Sequence, residues 1–331
     1  EYSTALKAYE YVINLGKEEP NYLAAEQGLI NSLYLKTTHS INPDKVEVAE
    51  LIQKIEGFVN LNGVGFNTAN SLFRLAELQI FYNHNPTGGS AILEKIIATP
   101  RLQIRFLAEC KLLLGDAYLL LNNVWDAKLM YGQLDKEFME DALGQEAKFK
   151  NAKVFYYDGE FDYAQSQLSV LKESTSKLIA NDAMQLSIAI TDNFGLDSNY
   201  QAMMWYASAE LLIEQHKYTE AFTLFDSIKI NYPFHSLMDE ILFKKAQVME
   251  RQSLWADALG FYDFIITKYP KDILADDALF KSAKIYENQL SDSAKALELY
   301  MNLLLNYSGS LFTDDARKQT RLLRGDKIIE D

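Results

Sequence analysis

The chain has 331 residues, 48% of them hydrophobic, with only 6 prolines and 15 glycines, which supports buried cores built mostly of helix and excludes a disordered polymer. A formal net charge of −14 disfavours a surface that tracks a phosphate backbone. The single cysteine, Cys110, excludes an intramolecular disulfide and a cysteine-cluster metal site, and its apolar helical surroundings make it a buried, inert thiol.

The spacing predicts a first helix over Ser3–Leu15, with Ala5, Tyr9 and Val12 on one face. Because the sequence opens on Glu1 in what reads as the second helix of a repeat, further residues are expected upstream, a lipid anchor being one form they would take. No signal peptide is visible and no run of ~18 apolar residues exists, so no helical membrane span is predicted. Helices follow near Tyr22–Lys36 and from Pro43 to Val59, the latter with Asn42 as N-cap and Pro43 at the first helical position. Asn62–Gly65 breaks the chain before Ser71–Tyr82. The Asn85-Pro-Thr-Gly-Gly-Ser stretch reads as a turn ahead of Ala91–Ala98.

From Thr99-Pro100, expected to start a long helix, one interval governs the sequence. Gly115 and Ala152 are 37 residues apart, and so are Ala127 and Ala164. KYTEAFTLFDSIKINYP, at Lys217–Pro233, returns as LWADALGFYDFIITKYP at Leu254–Pro270, so Ala221 to Ala258 and Pro233 to Pro270 are again 37. The interval from Ala164 to Ala221 is 57, one period plus 20, and Leu178–Ile190 is apolar enough to be an additional helix. A boundary is expected at the turn-rich stretch Asp192–Asp197, separating residues 1–192 from 193–331; an insertion within one continuous array is the competing reading. Three units follow, pairing Ala209 with Ala221, Ala246 with Ala258 and Ala283 with Ala296, the last with one extra residue in the turn Gln289–Ser293. Leu311–Leu323, with Arg317, Lys318, Arg321 and Arg324, reads as a capping helix with a polar outer face. Nothing alternates with period 2, so no β-structure is predicted.

A fixed period in the range of roughly 20–50 residues marks a repeat architecture. Small residues at matched positions let two helices approach, and Tyr131, Phe225, Tyr262 and Tyr300, one turn away, fill the groove towards the neighbouring unit. The small–aromatic–small–aromatic–proline spacing resembles the tetratricopeptide repeat (TPR), with units about three residues longer than the usual ~34. Leu114-Gly115 is its only intact Leu-Gly pair. The resemblance covers roughly Arg101–Gly325 well and the first hundred residues poorly. It implies an all-α, TPR-like α-α superhelix, a right-handed solenoid of helix-turn-helix repeats with about sixteen or seventeen helices.

ITKYPKDILADDALFKSAKIYENQL, with the KALELYMNLLLNYSGSLFTDDARKQTRLLRG that follows, is similar to bacterial extracytoplasmic TPR proteins of the outer-membrane assembly and Tol–Pal type. That resemblance implies a non-catalytic protein–protein scaffold of a cell-envelope complex, periplasmic or outer-membrane associated. Two other readings stay open: a cytoplasmic regulatory or chaperone-like protein holding clients, and the interaction module of a larger protein with an upstream catalytic domain.

By the resemblance, first helices line a concave face that takes a partner's helix or strand. The positions carried over are Phe149, Lys153, Tyr156 and Tyr157, then Tyr206, Glu210 and Glu214, then Phe243, Gln247, Glu250 and Arg251, then Phe280, Lys284 and Glu287. Interleaved aromatics and charges suit such recognition, and several of the aromatics are equally suited to packing between repeats. The carboxylate-clamp positions of some TPR domains fall on Asp116, Lys153, Glu210, Gln247 and Lys284, where the required Asn is missing. His39, His84, His216 and His235 never reach metal-ligand spacing and read as solvated or capping residues. Asp276-Asp277 and Asp314-Asp315 sit at expected helix starts, where the macrodipole favours them. No metal, cofactor or catalytic constellation is predicted, and the partners are proteins rather than nucleic acid.

Overall fold

A helix apolar along one face must bury that face on a neighbour, and a 12–14-residue helix followed by a short turn does so by folding back on the next. The computed structural model describes residues 2–39, 43–174, 176–195 and 200–326. Among the described residues there are seventeen α-helices and no strand, so the fold is all-α and of the TPR solenoid type. The first seven are α1 (Tyr2–Asn14), α2 (Tyr22–Thr38), α3 (Lys45–Asn62), α4 (Ala69–Glu77), α5 (Pro86–Ile97), α6 (Ile104–Leu120) and α7 (Val124–Glu137). Next come α8 (Ala142–Tyr157), α9 (Phe161–Leu171), α10 (Lys177–Ile190), α11 (Tyr200–Glu214) and α12 (Tyr218–Asn231). The last five are α13 (Met238–Arg251), α14 (Trp255–Lys268), α15 (Ala275–Asn288), α16 (Ser293–Asn306) and α17 (Thr313–Arg324). Single π-helical turns follow α4, at Leu78–Tyr82, and α10, at Thr191–Gly195.

The turn inside each helix pair obeys the same register as the alanines. Asn122, Gly159, His216, Ser253 and Ser291 all have positive φ, between 54° and 80°, two residues before the second helix begins. Their spacings are 37, 57, 37 and 38, the intervals found between the alanines. In each turn the next residue's N–H reaches back to a carbonyl of the preceding helix: Asn123 to Tyr118 at 2.8 Å, Glu160 to Phe155 at 2.9 Å, Lys217 to Leu212 at 2.8 Å, Leu254 to Met249 at 2.9 Å and Asp292 to Tyr286 at 2.8 Å. This is the left-handed C-terminal closure that satisfies orphan carbonyls, and glycine serves it best. Four of the five positions are not glycine. Ser253 is exposed, so Ser253→Gly removes only the Cβ strain and is expected to raise stability by about 1 kcal/mol, read as a higher urea midpoint at unchanged m.

The helices gather in two units, Glu1–Tyr156 with Glu160–Ser187, and Tyr157–Gly159 with Ile188–Asp331. The sequence placed its boundary after residue 192; Leu196 and Asp197 of the expected joint lie outside the described residues. In the first unit one core joins Val48, Leu51, Ile55 and Phe58 of α3 to Leu72 and Leu75 of α4, Leu93 and Ile96 of α5 and Leu113 and Leu114 of α6. Cys110 lies within it, fully buried, and burial pushes its thiol up to about 12, as befits an inert side chain. Beside this core, Gly115 permits the close approach of α6 and α7: a Cβ there would stand 2.5 Å from a ring carbon of fully buried Tyr131. In the second unit α11–α12, α13–α14 and α15–α16 pack as antiparallel pairs. Ala221, Ala258 and Ala296 are fully buried, as are Phe225, Tyr262 and Tyr300 four residues on.

Three N-terminal boundaries differ from expectation. The cap of α3 is Asp44, whose carboxylate accepts the Val46 N–H at 2.8 Å; Asn42 lies outside the described residues and Pro43 is not helical. Asn85 caps α5 by accepting the Gly88 N–H at 3.0 Å, so the glycines taken for a turn form its first turn, with Pro86 at the position that needs no N–H. Helix α6 starts at Ile104 rather than at Pro100, because Arg101 takes a left-handed φ of 68° that no helix continues through.

Helix α17 carries the polar outer face expected of a capping helix. Arg317, Arg321 and Arg324 stand 38 residues after Leu279, Ala283 and Tyr286 of α15, replacing packing positions with exposed charge. Ala316 and Leu323 still hold the helix to Leu303 and Tyr300 of α16. Gly325 closes it at φ 78°.

Candidate functional site

The first helices of the second unit, α11, α13 and α15, carry ten of the positions expected to bind a partner. Tyr206 and Phe243 are buried and point into the repeat: their rings pack 5.5 Å from Phe225 and 5.4 Å from Tyr262. Phe280 does the same against Tyr300 at 6.0 Å and stacks on Phe312 at 4.4 Å. In the first unit Tyr156 is buried against Phe161, while Phe149 and Lys153 are half-buried on α8. Tyr157 is buried as well. The aromatics are thus mortar between helices, since a ring gains most by removing its whole area from water. What remains on the surface of the second unit is polar: Glu210, Glu214, Gln247, Glu250, Arg251, Lys284 and Glu287.

These polar groups form a ladder between successive first helices. Lys244 of α13 reaches Glu210 of α11 at 2.6 Å, and Arg251 reaches Glu214 at 3.9 Å. Lys281 of α15 reaches Glu250 at 3.9 Å, and Lys284 lies 3.9 Å from Glu287 on its own helix. Glu210, Ile213, Glu214, Lys244, Gln247, Val248 and Arg251 together line a cleft between α11 and α13. The first unit repeats the motif, where Lys150 of α8 contacts both Asp116 carboxylate oxygens at 2.8 and 2.9 Å. In both units the acid follows the small residue of one first helix and the lysine precedes the small residue of the next by two. Asp116–Lys150 and Glu210–Lys244 are therefore both 34 residues apart. Lys150, Lys244 and Lys281 were missed by sequence reasoning, which followed aromatic and groove positions; the recurrent acid–lysine interval of 34 was the available signal for the first two, whereas Lys281 pairs at 31.

Two rungs also hold the hydroxyls of the buried tyrosines. Tyr262 donates to Glu250 at 2.6 Å and Tyr300 to Glu287 at 2.6 Å, as Tyr131 does to Asp116 at 2.6 Å. Burial, then the hydrogen bond to the acid, pushes the Tyr262 and Tyr300 hydroxyls far up, so they remain donors at any working pH. These carboxylates thus face both ways, towards a core hydroxyl and towards the surface lysines.

The acid pairs open the first helices as expected, Asp276-Asp277 on α15 and Asp314-Asp315 on α17, and Asp239-Glu240 does the same on α13. Burial, with Asp276 beside it, pushes the Asp277 carboxyl up to about 6. His235 is not solvated: it is buried, and its Nδ1 accepts the Leu237 N–H at 3.2 Å just before α13, the capping alternative. His216 occupies a left-handed turn position and pairs with the Tyr218 hydroxyl at 2.8 Å. Among the described residues no group of three or more His, Cys, Asp or Glu side chains is placed to hold a metal ion, and no helix is long and apolar enough to cross a membrane.

The span from Asp277 to Ser310 takes in all of α16 and all but the first two residues of α15. Residues 277–310 match the family model of the tetratricopeptide repeat. The matched span contains Ala283, Ala296 and Tyr300, residues that define the longer register and pack this hairpin. No curated protein sequence matches the chain. Solved structures with similar helix arrangements include a monomeric mutant of IFIT1 with m7Gppp-AAAA (15% identity, 98% of this chain and 67% of that one, TM-score 0.36). Another is the TPR domain of P58(IPK) (13% identity, 98% of this chain and 89% of that one, TM-score 0.30). Both superpose loosely, and the reading of the site stands on the chain's own geometry.

Proposed function

We propose that the protein is a non-catalytic scaffold that holds segments of other proteins on the first-helix face of α11, α13 and α15. The observation that carries this reading is the cleft between α11 and α13, where Glu210, Glu214, Lys244, Gln247 and Arg251 converge on one polar surface. TPR arrays in general bind other proteins, and a face of paired charges on rigid helices offers a segment alternating donors and acceptors at fixed spacing. A partner engages it by exchanging these internal rungs for its own charges.

The test is charge reversal with a swap control. Glu210→Lys with Glu214→Lys is expected to lower capture of co-purifying partners from native extract at least about tenfold, the range of one broken charge pair at an interface. Glu210→Lys combined with Lys244→Glu restores the internal rung but inverts what a partner meets, and is expected to stay defective. Undiminished capture by both variants would sink this reading.

We further propose that the scaffold serves a bacterial cell-envelope complex, periplasmic or outer-membrane associated, with outer-membrane complex subunits as partners. Support comes from the sequence phrase around Ile273–Phe280 and its resemblance to envelope TPR proteins. Fractionation of the native protein with outer membranes is the expected result, and recovery in the soluble cytosol alone would contradict it.

A further inference from the structure

The first turn of α13 and the π-turn at Thr191–Gly195 meet in the most heavily buried acidic contact of the described second unit. Asn193 is 1% exposed, and its side-chain N–H donors reach the Ala189 carbonyl at 3.0 Å and Glu240 Oε1 at 3.1 Å. Its own Oδ1 and Glu240 Oε2 are buried with no hydrogen-bond partner. Asp239, 5% exposed, lies beside Glu240 within hydrogen-bonding reach. The groups facing this contact are unfavourable to a second negative charge: Tyr206 of α11, whose hydroxyl is pushed up by burial and then by Glu210, Glu240 and Asp239, and Asp272, pushed up by burial and then by Asp239. Among the described residues no cation pairs with Glu240, and Lys244, one turn along α13, pairs with Glu210 instead.

A buried acceptor left without a donor costs on the order of 1–3 kcal/mol, and one proton removes the difficulty here. Protonated, Glu240 becomes a donor that Asp239 shares, while Oε1 still accepts from Asn193. Ionised, it leaves two adjacent carboxylates in a dry site. The π-turn is the element free to yield, because one extra residue already interrupts its helical ladder, whereas α13 is locked by Phe243 and Ala246 in the core. Its position adds meaning: the turn lies where the 37-residue register slips to 57.

We propose that Glu240 and Asn193 form a proton-operated latch that fastens the π-turn Thr191–Gly195 to the start of α13 and releases it when Glu240 ionises. Burial and the Asp239 carboxylate both hold the Glu240 carboxyl above the ordinary carboxylate range, so the latch is shut at neutral pH and opens on the alkaline side. The release is local, since Phe243 and Ala246 keep α13 packed on α14.

The experiment is amide hydrogen exchange of the intact protein, corrected for intrinsic rates, between pH 6 and 10. In the wild type the protection of residues 189–195 is expected to fall about tenfold per pH unit from the low end of this range, the slope of one released proton, and to level off once the latched Glu240 carboxyl ionises. Glu240→Gln cannot ionise and is expected to keep that protection across the range. Asp239→Asn, which removes the group that helps hold the Glu240 carboxyl up, should end the fall at lower pH. Asn193→Ala should expose the segment at every pH. A peptide from Trp255–Lys268, read in parallel, must stay protected throughout, which separates local release from global unfolding. Protection of 189–195 that is flat with pH in the wild type, or that falls equally in Glu240→Gln, would overturn the latch.

Discussion

Phe225→Ala is expected to cost about 3–5 kcal/mol, the largest loss from any single truncation considered. Phe225 is fully buried, and its ring packs against Tyr206 on α11 and lies 6.4 Å from Phe222 on α12. It has no hydroxyl to place, unlike Tyr131, Tyr262 and Tyr300 at the same register position, so its whole contribution is apolar burial and the cavity its loss leaves. In an array where each unit is stabilised through its neighbours, a cavity in α11–α12 also weakens the unit stacked on it. Chemical denaturation should therefore show the second unit unfolding earlier, with a shifted midpoint for the Trp205 and Trp255 signals. Trp125 belongs to the first unit and serves as internal reference. A midpoint within about 0.5 kcal/mol of wild type would contradict the packing scheme.

The second large effect runs in the opposite direction. Glu240→Gln is expected to stabilise the protein at neutral pH by about 3 kcal/mol. Folding raises the Glu240 carboxyl above its ordinary value of 4.5, because it is buried beside Asp239. Below that unfolded value both states carry the proton and nothing is lost. Above it the unfolded chain has released the proton and the folded chain has not, so stability falls by about 1.4 kcal/mol per pH unit until the folded carboxyl ionises. Glu240 thus favours the fold in acid and penalises it as pH rises. Glu240→Gln keeps the shape and the Asn193 contact without titrating, so its stability curve should separate from wild type progressively above pH 4.5. Curves that stay parallel from pH 4.5 to 8 would show that Glu240 is not held neutral in the fold.

The repeating architecture was legible because small and aromatic residues recur at positions fixed by helix contact. Ala221, Ala258 and Ala296 are fully buried, and so are Phe225, Tyr262 and Tyr300, since neither kind can change without opening or overfilling the groove. The N-terminal boundaries were less legible because helix ends depend on single residues. Asp44 captures the cap of α3 by one short hydrogen bond, and Arg101 delays α6 by a backbone conformation that its side chain does not advertise. The site was legible in part. Its helices and charged positions could be read from the register, whereas the roles of Tyr206, Phe243 and Phe280 could not, because an aromatic at a groove position and one packed between helices have the same sequence spacing. Lys244 and Lys281 escaped because their partners lie on other helices, 34 and 31 residues earlier.

The left-handed turns hold a similar lesson. His216, Ser253 and Ser291 give no glycine signal, yet each closes its turn at φ 54–58°. The interval between them, and not their chemistry, marks the position.

Site-specific photocrosslinking tests the central claim most directly. A photoreactive phenylalanine analogue replacing Gln247, in the cleft between α11 and α13, is expected to give covalent adducts with a partner protein in native extract. The same analogue replacing Asp263, on the exposed face of α14, should give none. Adducts from position 263 with none from position 247 would place the binding face on the second helices and contradict the account.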